Sequence, residues 1–327
     1  MKIIKPKKLN IGDTIGIVAS SLPVLPSHQE QFERGKKLIL EMGFKVKEGK
    51  TIGGKRWWKA GIPKEVAADL NSMFADPEVK AIIAHTGGYS AISVIEHLDY
   101  DLIAKNPKPF IGMSDMTIYH LAIFKETGMV GFHMDDLSYG FGREIKEGME
   151  EWPKLNQELF LKFLTENKAP GIIRPETLWE EWKRGEAEGH LIGGILQRIS
   201  TLSGTKYFPD LDSFNGSILF WEEIGQDLSD IYQALYQLKN MGIFDRISGM
   251  LIGKIKYLKP LRQEARGEIA EPTLQEMVLD ILKDYDFPIM ANMDFGHLTL
   301  NIPMPIGIKV SFDTTKNELN FLESAVV

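Results

Sequence analysis

Ser114 stands in Phe110-Ile111-Gly112-Met113-Ser114-Asp115-Met116-Thr117, where an apolar run enters a Gly-x-Ser turn and a helical pattern leaves it. Such a turn puts a hydroxyl at a strand C-terminus and a helix N-terminus, where free N–H groups and the helix dipole favour a developing oxyanion. A Gly-x-Ser-x-Gly elbow would carry Gly at the position of Met116, so the local motif leaves open a second reading: Ser114 or Asp115 simply caps the helix. A second candidate is His85-Thr86-Gly87-Gly88-Tyr89-Ser90. Its paired glycines would let backbone N–H groups approach an anion closely, or would make an ordinary tight turn. In the second half, Leu219-Phe220-Trp221-Glu222-Glu223 reads as a strand ending in carboxylates, and Phe295-Gly296-His297-Leu298 follows an apolar run. Ser, Glu and His in this order would supply a nucleophile, an orienting carboxylate and a general base.

Other chemistries are poorly served. Cysteine is absent, which excludes disulfides, thiolate metal ligands and cysteine nucleophiles. His133, Asp135 and Asp136 could contribute to a metal hydrolase, but no His-Glu-x-x-His occurs and adjacent aspartates read as a solvated loop. Neither Gly-x-Gly-x-x-Gly nor Gly-x-x-x-x-Gly-Lys-Ser/Thr is present, so no cofactor is expected. The net charge of −7, without a long Lys/Arg run, argues against nucleic acid as a main partner. A binding protein that uses a two-domain cleft without turnover is the competing non-enzymatic class.

The elements that must carry these residues alternate short apolar runs with helical patterns, the signature of parallel βαβ units. Strands are predicted at 14–19, from Phe44, at 81–84, 110–112 and 130–133, with helices at 27–42, 63–74, 91–98 and 117–125. The pattern weakens between residues 139 and 188, where Trp179, Trp182 and three prolines suggest a domain connection and an insertion. It resumes with a strand at 217–221, an amphipathic helix marked by Leu228, Ile231, Leu235 and Leu238, a strand at 250–253, a helix at 274–282 and a terminal β-hairpin. A length of 327 residues admits two domains: 1–165, a linker or insertion at 166–187, and 188–327. Asn10, Asp13 and Thr14 interrupt the apolar stretch a signal peptide would need, so the N-terminus reads as a mature start. No run approaches ~20 apolar residues, so no membrane span is expected.

Jointly, these motifs carry a resemblance. Ala19-Ser20-Ser21, Asp76-Pro77-Glu78-Val79 running into Gly87-Gly88-Tyr89, Leu98-Asp99-Tyr100, Gly112-Met113-Ser114-Asp115, Leu191-Ile192-Gly193-Gly194, Trp221-Glu222-Glu223, Gly296-His297 and Pro305-Ile306-Gly307 together resemble the LD-carboxypeptidase family of serine peptidases. The resemblance implies an α/β fold: an N-terminal doubly wound domain of Rossmann or flavodoxin type and a smaller, β-rich C-terminal α/β domain, with the site between them. It implies Ser114 as nucleophile, Glu222 as carboxylate and His297 as base, with the N–H groups of Gly88 and Asp115 as oxyanion hole and Gly87 and Tyr89 beside the substrate. It also implies a cytoplasmic homodimer acting on a small peptide or an aminoacyl nucleotide. Within the family, the insertion with Trp179 and Trp182 resembles the immunity-type branch, whose substrate is an acyl-linked aminoacyl nucleotide on whose planar base these aromatic faces would stack; the other reading of the two tryptophans is that they merely cover the domain junction. The alternatives for the whole chain are release of a terminal D-amino acid from a muropeptide and an inactive cleft-binding relative. Three positions depart from the family pattern: Met113 where Tyr is usual, Leu300 where Pro is usual, and Met134-Asp135-Asp136 where Gly-Pro is usual.

Overall fold

The computed structural model describes residues 2–145, 150–261, 270–298 and 300–327. The first half builds β1 (Thr14–Val18), α1 (Gln29–Glu41), β2 (Lys45–Glu48), α2 (Pro63–Ala75), β3 (Val79–Ala84), α3 (Tyr100–Lys105), β4 (Phe110–Gly112), α4 (Met116–Thr127) and β5 (Phe132–His133). Strands β2, β1, β3, β4 and β5 lie side by side in that order, all parallel. These are the parallel βαβ units expected from the alternating pattern, in the doubly wound arrangement that the resemblance implies. The period of two along each strand divides the core: Ile15 and Ile17 pack with Phe32 and Ile39 of α1, whereas Val18, Ile82 and Ala84 pack with α2 and α4 on the other face.

The segment 91–98, predicted as a helix, is instead two short 3₁₀ turns, Ala91–Ser93 and Ile95–His97. Their entry is pinned from outside, since the Ser90 and Ala91 N–H groups both donate to Asp115 Oδ2 at 2.9 Å. The weak-pattern region after residue 139 contains α5 (Trp152–Thr165), which buries Asn156, Phe160, Phe163 and Leu164. It also contains β6 (Gly171–Ile173) and β7 (Glu180–Lys183), both within the stretch 166–187.

The second half continues with β8 (Glu186–Ile195), α6 (Leu196–Leu202), β9 (Ile218–Ile224), α7 (Leu228–Asn240), β10 (Gly249–Lys256), α8 (Leu274–Ile281), β11 (Ile289–Met293), β12 (Met304–Pro305), β13 (Lys309–Asp313) and β14 (Glu318–Phe321). Among the described residues, a mixed sheet runs in the order β6-β14-β13-β8-β9-β10-β11-β7. Its centre, β8 to β11, is parallel, and antiparallel strands flank it on both sides. Residues 166–187 therefore supply the two outermost strands of this sheet.

The two sheets are not independent. Strand β12 crosses back to pair antiparallel with β5 in the first sheet, Met304 opposite His133. Helix α4 is buried from Met116 to Phe124 and belongs to one continuous apolar core with Leu191, Leu196, Phe220 and Trp221 of the second half. A helix covered on every side is apolar all round. At its N-terminus the Thr117 hydroxyl accepts the Ile195 N–H at 3.0 Å, tying α4 to the end of β8.

Candidate active site

In a doubly wound sheet, ligands meet the C-terminal ends of the strands where the winding reverses, here between β1 and β3. The loops leaving β1, β3 and β4 converge at that point and carry Ser21, Gly87, Gly88 and Ser114. Ser114 has φ +63°, a left-handed conformation that a serine adopts only when its surroundings hold it there. The Ser114 carbonyl accepts the Thr117 N–H at 3.0 Å and starts α4, so the strained turn lifts the side chain out at the head of the helix. A Cβ on Gly87 would lie 2.6 Å from Ser114 Cβ and 2.9 Å from its Oγ. Glycine is what allows the β3 loop to come this close to the hydroxyl.

Asp115 does not cap α4, which corrects that part of the local reading. Its carboxylate faces away and gathers the neighbouring loops. Oδ2 accepts the Ser21 hydroxyl at 2.6 Å and the Ser90 and Ala91 N–H groups, and Oδ1 accepts Arg198 Nε at 2.8 Å. Gly88 has φ +148°, and a Cβ there would meet Ser21 Oγ at 2.4 Å. Its carbonyl accepts Arg198 Nη2 at 3.1 Å.

The second half contributes Glu222 from β9 and His297 from the loop after β11. Glu222 is fully buried, and its Oε2 lies 2.8 Å from His297 Nδ1. A carboxylate only accepts, so Nδ1 donates and Nε2 is left with its lone pair. Burial disfavours the charged imidazole, but the Glu222 charge and hydrogen bond outweigh it, so the His297 pKa lies above its ordinary value. A Cβ on Gly296 would lie 3.0 Å from Glu222 Oε2, which makes the close passage of this loop depend on glycine. Glu223, the next residue along the strand, accepts the Gln197 N–H at 2.8 Å and the Ile224 N–H at 2.9 Å. It makes no hydrogen bond to His297, and burial pushes its pKa up to about 7.

Ser114, His297, Gly87, Gly88 and Tyr89 line one open cleft of about 820 Å³, together with Glu223, Arg198, Lys256 and Tyr257. The structure brings these sequence-predicted residues together; Trp179 and Trp182 stay outside. Trp179 is buried and donates its indole N–H to Asp294 at 2.9 Å, and Trp182 is half-buried and donates to Glu180 at 2.7 Å. The exposed aromatic faces that line the cleft are those of Tyr89, Tyr257 and Tyr139, 74%, 68% and 42% exposed.

Asp135 and Asp136, read as a solvated loop, are both buried. Asp135 accepts from Asn156 at 2.9 Å and Asn301 at 3.0 Å, and Asp136 accepts the Tyr139 and Gly140 N–H groups and the Thr86 hydroxyl. Tyr139 and Gly140 are local, but Asn156, Asn301 and Thr86 come from three distant segments, which no local pattern announces. Among the described residues no three His, Asp or Glu side chains gather as a metal site. Several cleft residues, Arg198, Lys256 and Tyr257 among them, were not anticipated from sequence. Arg198 carried no signal beyond lying just past Gly193-Gly194, and Glu223 was passed over in favour of its neighbour.

A family model described as the LD-carboxypeptidase N-terminal domain matches residues 15–134, and one described as the LD-carboxypeptidase C-terminal domain matches residues 188–312. The chain is 32% identical over 314 residues to a probable murein peptide carboxypeptidase of Bacillus subtilis, covering 95% of this chain and 92% of that one. It is 28% identical over 345 residues to the microcin C7 self-immunity protein of Escherichia coli, covering 96% and 94%. The solved structure of that self-immunity protein in complex with aspartyl sulfamoyl adenosine matches with a TM-score of 0.87 at 26% identity, over 99% of this chain and 100% of that one. A muramoyltetrapeptide carboxypeptidase from Oxalobacter formigenes shares the fold, with a TM-score of 0.79 at 21% identity over 95% and 99% of the two chains.

Proposed function

This chain belongs to the LD-carboxypeptidase family and is a hydrolase of carboxypeptidase type, and from that premise we propose that Ser114, His297 and Glu222 carry its reaction. The observation that supports this most is the 2.8 Å bond from His297 Nδ1 to buried Glu222, in a cleft that Ser114 also lines. His297 Nε2 takes the Ser114 proton as Oγ attacks the substrate carbonyl carbon, and the Gly88 and Asp115 N–H groups receive the oxyanion. The tetrahedral species collapses as His297 returns the proton to the leaving nitrogen. Water, deprotonated by the same imidazole, then hydrolyses the acyl-serine and regenerates Ser114.

The substrate we propose is an acyl amide of the immunity type, an aminoacyl nucleotide. Supporting it are the size of the cleft, its three exposed tyrosines and the likeness to a self-immunity protein whose structure holds aspartyl sulfamoyl adenosine. The 32% identity to a probable murein peptide carboxypeptidase favours a second reading, release of a terminal D-amino acid from a muropeptide. The proposal extends to a homodimer working in the cytoplasm, for which sedimentation and fractionation are the tests. No helix among the described residues is long and apolar enough to cross a membrane.

The deciding experiment offers the purified protein an aminoacyl sulfamoyl or phosphoramidate nucleotide and an L,D-linked tetrapeptide in parallel, with a fluorophosphonate label on Ser114. Labelling with turnover of the nucleotide supports the first reading. Turnover of the tetrapeptide alone decides for the second, and absence of labelling overturns the serine mechanism.

A further inference from the structure

Arg198 lies in α6 of the second half, yet all three of its nitrogens are used at the cleft. Nε donates to Asp115 Oδ1 at 2.8 Å, Nη2 to the Gly88 carbonyl at 3.1 Å and Nη1 to Gln197 Oε1 at 3.2 Å. Its guanidinium carbon sits 5.2 Å from the centre of the Tyr89 ring, and its side chain is only 11% exposed. The two residues it bridges are those whose N–H groups form the oxyanion hole in the reading above. Building on that reading, we propose that Arg198 is a positioning residue which clamps Gly88 and Asp115 in register, so that the oxyanion hole is complete only when α6 is docked on the first domain.

The geometry separates this role from a more obvious one. A cation beside the cleft invites assignment as the anchor for a substrate carboxylate. The Arg198 charge, however, is already matched by Asp115, whose carboxylate is itself fixed by Ser21, Ser90 and Ala91. A substrate carboxylate would have to compete with a buried, multiply bonded one. A planar fork holds two acceptors at fixed separation, as a lysine ammonium on a flexible stem does not. The Gly88 backbone needs such a restraint. Its φ of +148° belongs to a conformation that glycine reaches freely and leaves freely; the Leu22 N–H bond to the Gly87 carbonyl at 3.1 Å holds the peptide that bears the Gly88 N–H, and the Arg198 bond holds the next peptide, so that the torsion between them is fixed from both sides.

The test compares wild type with Arg198→Lys and Arg198→Ala, using a fluorophosphonate whose phosphoryl oxygen occupies the oxyanion hole. The expected result is a fall of about 10- to 100-fold in the maximal labelling rate for both variants, with the half-saturating probe concentration changed less than about twofold. Millimolar guanidinium should restore part of the rate in Arg198→Ala, which a variant that merely unfolds would not allow. Wild-type rates in Arg198→Lys, or a weaker half-saturation with an unchanged maximal rate, overturn the clamp while leaving the serine reading intact. An unreactive Ser114 in the wild type overturns both.

Discussion

His133 Nε2 lies 3.7 Å from Glu222 Oε1, facing the carboxylate oxygen that His297 does not use. Both residues are fully buried, and burial holds His133 far below its ordinary pKa, so it stays neutral. It is too distant to hydrogen-bond and carries no charge to neutralise Glu222. The negative charge is therefore spent on one imidazole only, which is the electrostatic reason that His297 titrates above an ordinary histidine.

That asymmetry sets the pH dependence. A protonated His297 cannot act as base, so kcat/KM should fall with acid through a pKa above the ordinary ~6.5. Glu222→Gln removes the charge while keeping the shape; burial and the Lys256 charge then pull His297 down, against the weaker opposing pull of the Asp135, Asp136 and Glu223 carboxylates. The acid limb should move to lower pH and the plateau rate fall by about 10³-fold or more. A pH–rate profile of both proteins checks this, and an unmoved limb would assign the controlling titration elsewhere.

Ser114→Ala should abolish labelling and lower hydrolysis by about 10³-fold or more, with little change in stability. Ser114→Gly should be equally inactive but more stable than Ser114→Ala by about 1 kcal/mol, because only glycine relieves a φ of +63°. Thermal melts of the two inactive variants, side by side, measure that difference free of any catalytic effect.

Gly87→Ala places a methyl group 2.6 Å from Ser114 Cβ, and one of the two must give way. The expected cost is about 1–3 kcal/mol of stability with a large loss of kcat, since overpacking here displaces Ser114, the nucleophile in the proposed reading. Melting temperature and steady-state kinetics report the two effects separately; unchanged kcat would mean that the β3 loop moves and the nucleophile does not.

Trp179→Phe should destabilise the protein by about 1–2 kcal/mol without favouring one substrate over another, because the indole N–H serves Asp294. Burial opposes ionisation of Asp294, but Lys254 at 2.7 Å, with Thr177 and Trp179, holds its pKa below the ordinary value. A depressed carboxyl contributes stability above the unfolded pKa near ~4 and loses it as pH falls through the folded one. Urea melts at pH 7 and pH 3 should therefore separate Asp294→Asn from wild type at neutral pH and bring them together in acid. A selective rise in KM for aminoacyl nucleotides in Trp179→Phe would instead return the indole to substrate stacking.

Legibility in the sequence followed the range of the interactions. The strand, turn and helix around Ser114 could be read because one continuous segment writes all three. The apolar spacing at Ala91, Val94, Ile95 and Leu98 suits two 3₁₀ turns as well as a helix, and the restraint that decides between them comes from Asp115. Strands β6 and β7 were hidden because edge strands with partly exposed faces lack a clean alternation. Arg198 was invisible for a similar reason: its partners are 83 and 110 residues away.

The buried helix α4 has a mechanical consequence. Many two-domain enzymes grip a substrate by hinging shut, and their turnover waits on reopening. Here the helix that follows Ser114 runs through the shared interior, and β12 stitches the far half onto the first sheet, so hinging would tear apolar packing open to water. The packing between the two halves makes the cleft a fixed notch in expectation, to be checked in the kinetics. Discrimination must reside in what enters, and turnover should show no gating step from domain opening, with product leaving by the mouth that admitted the substrate.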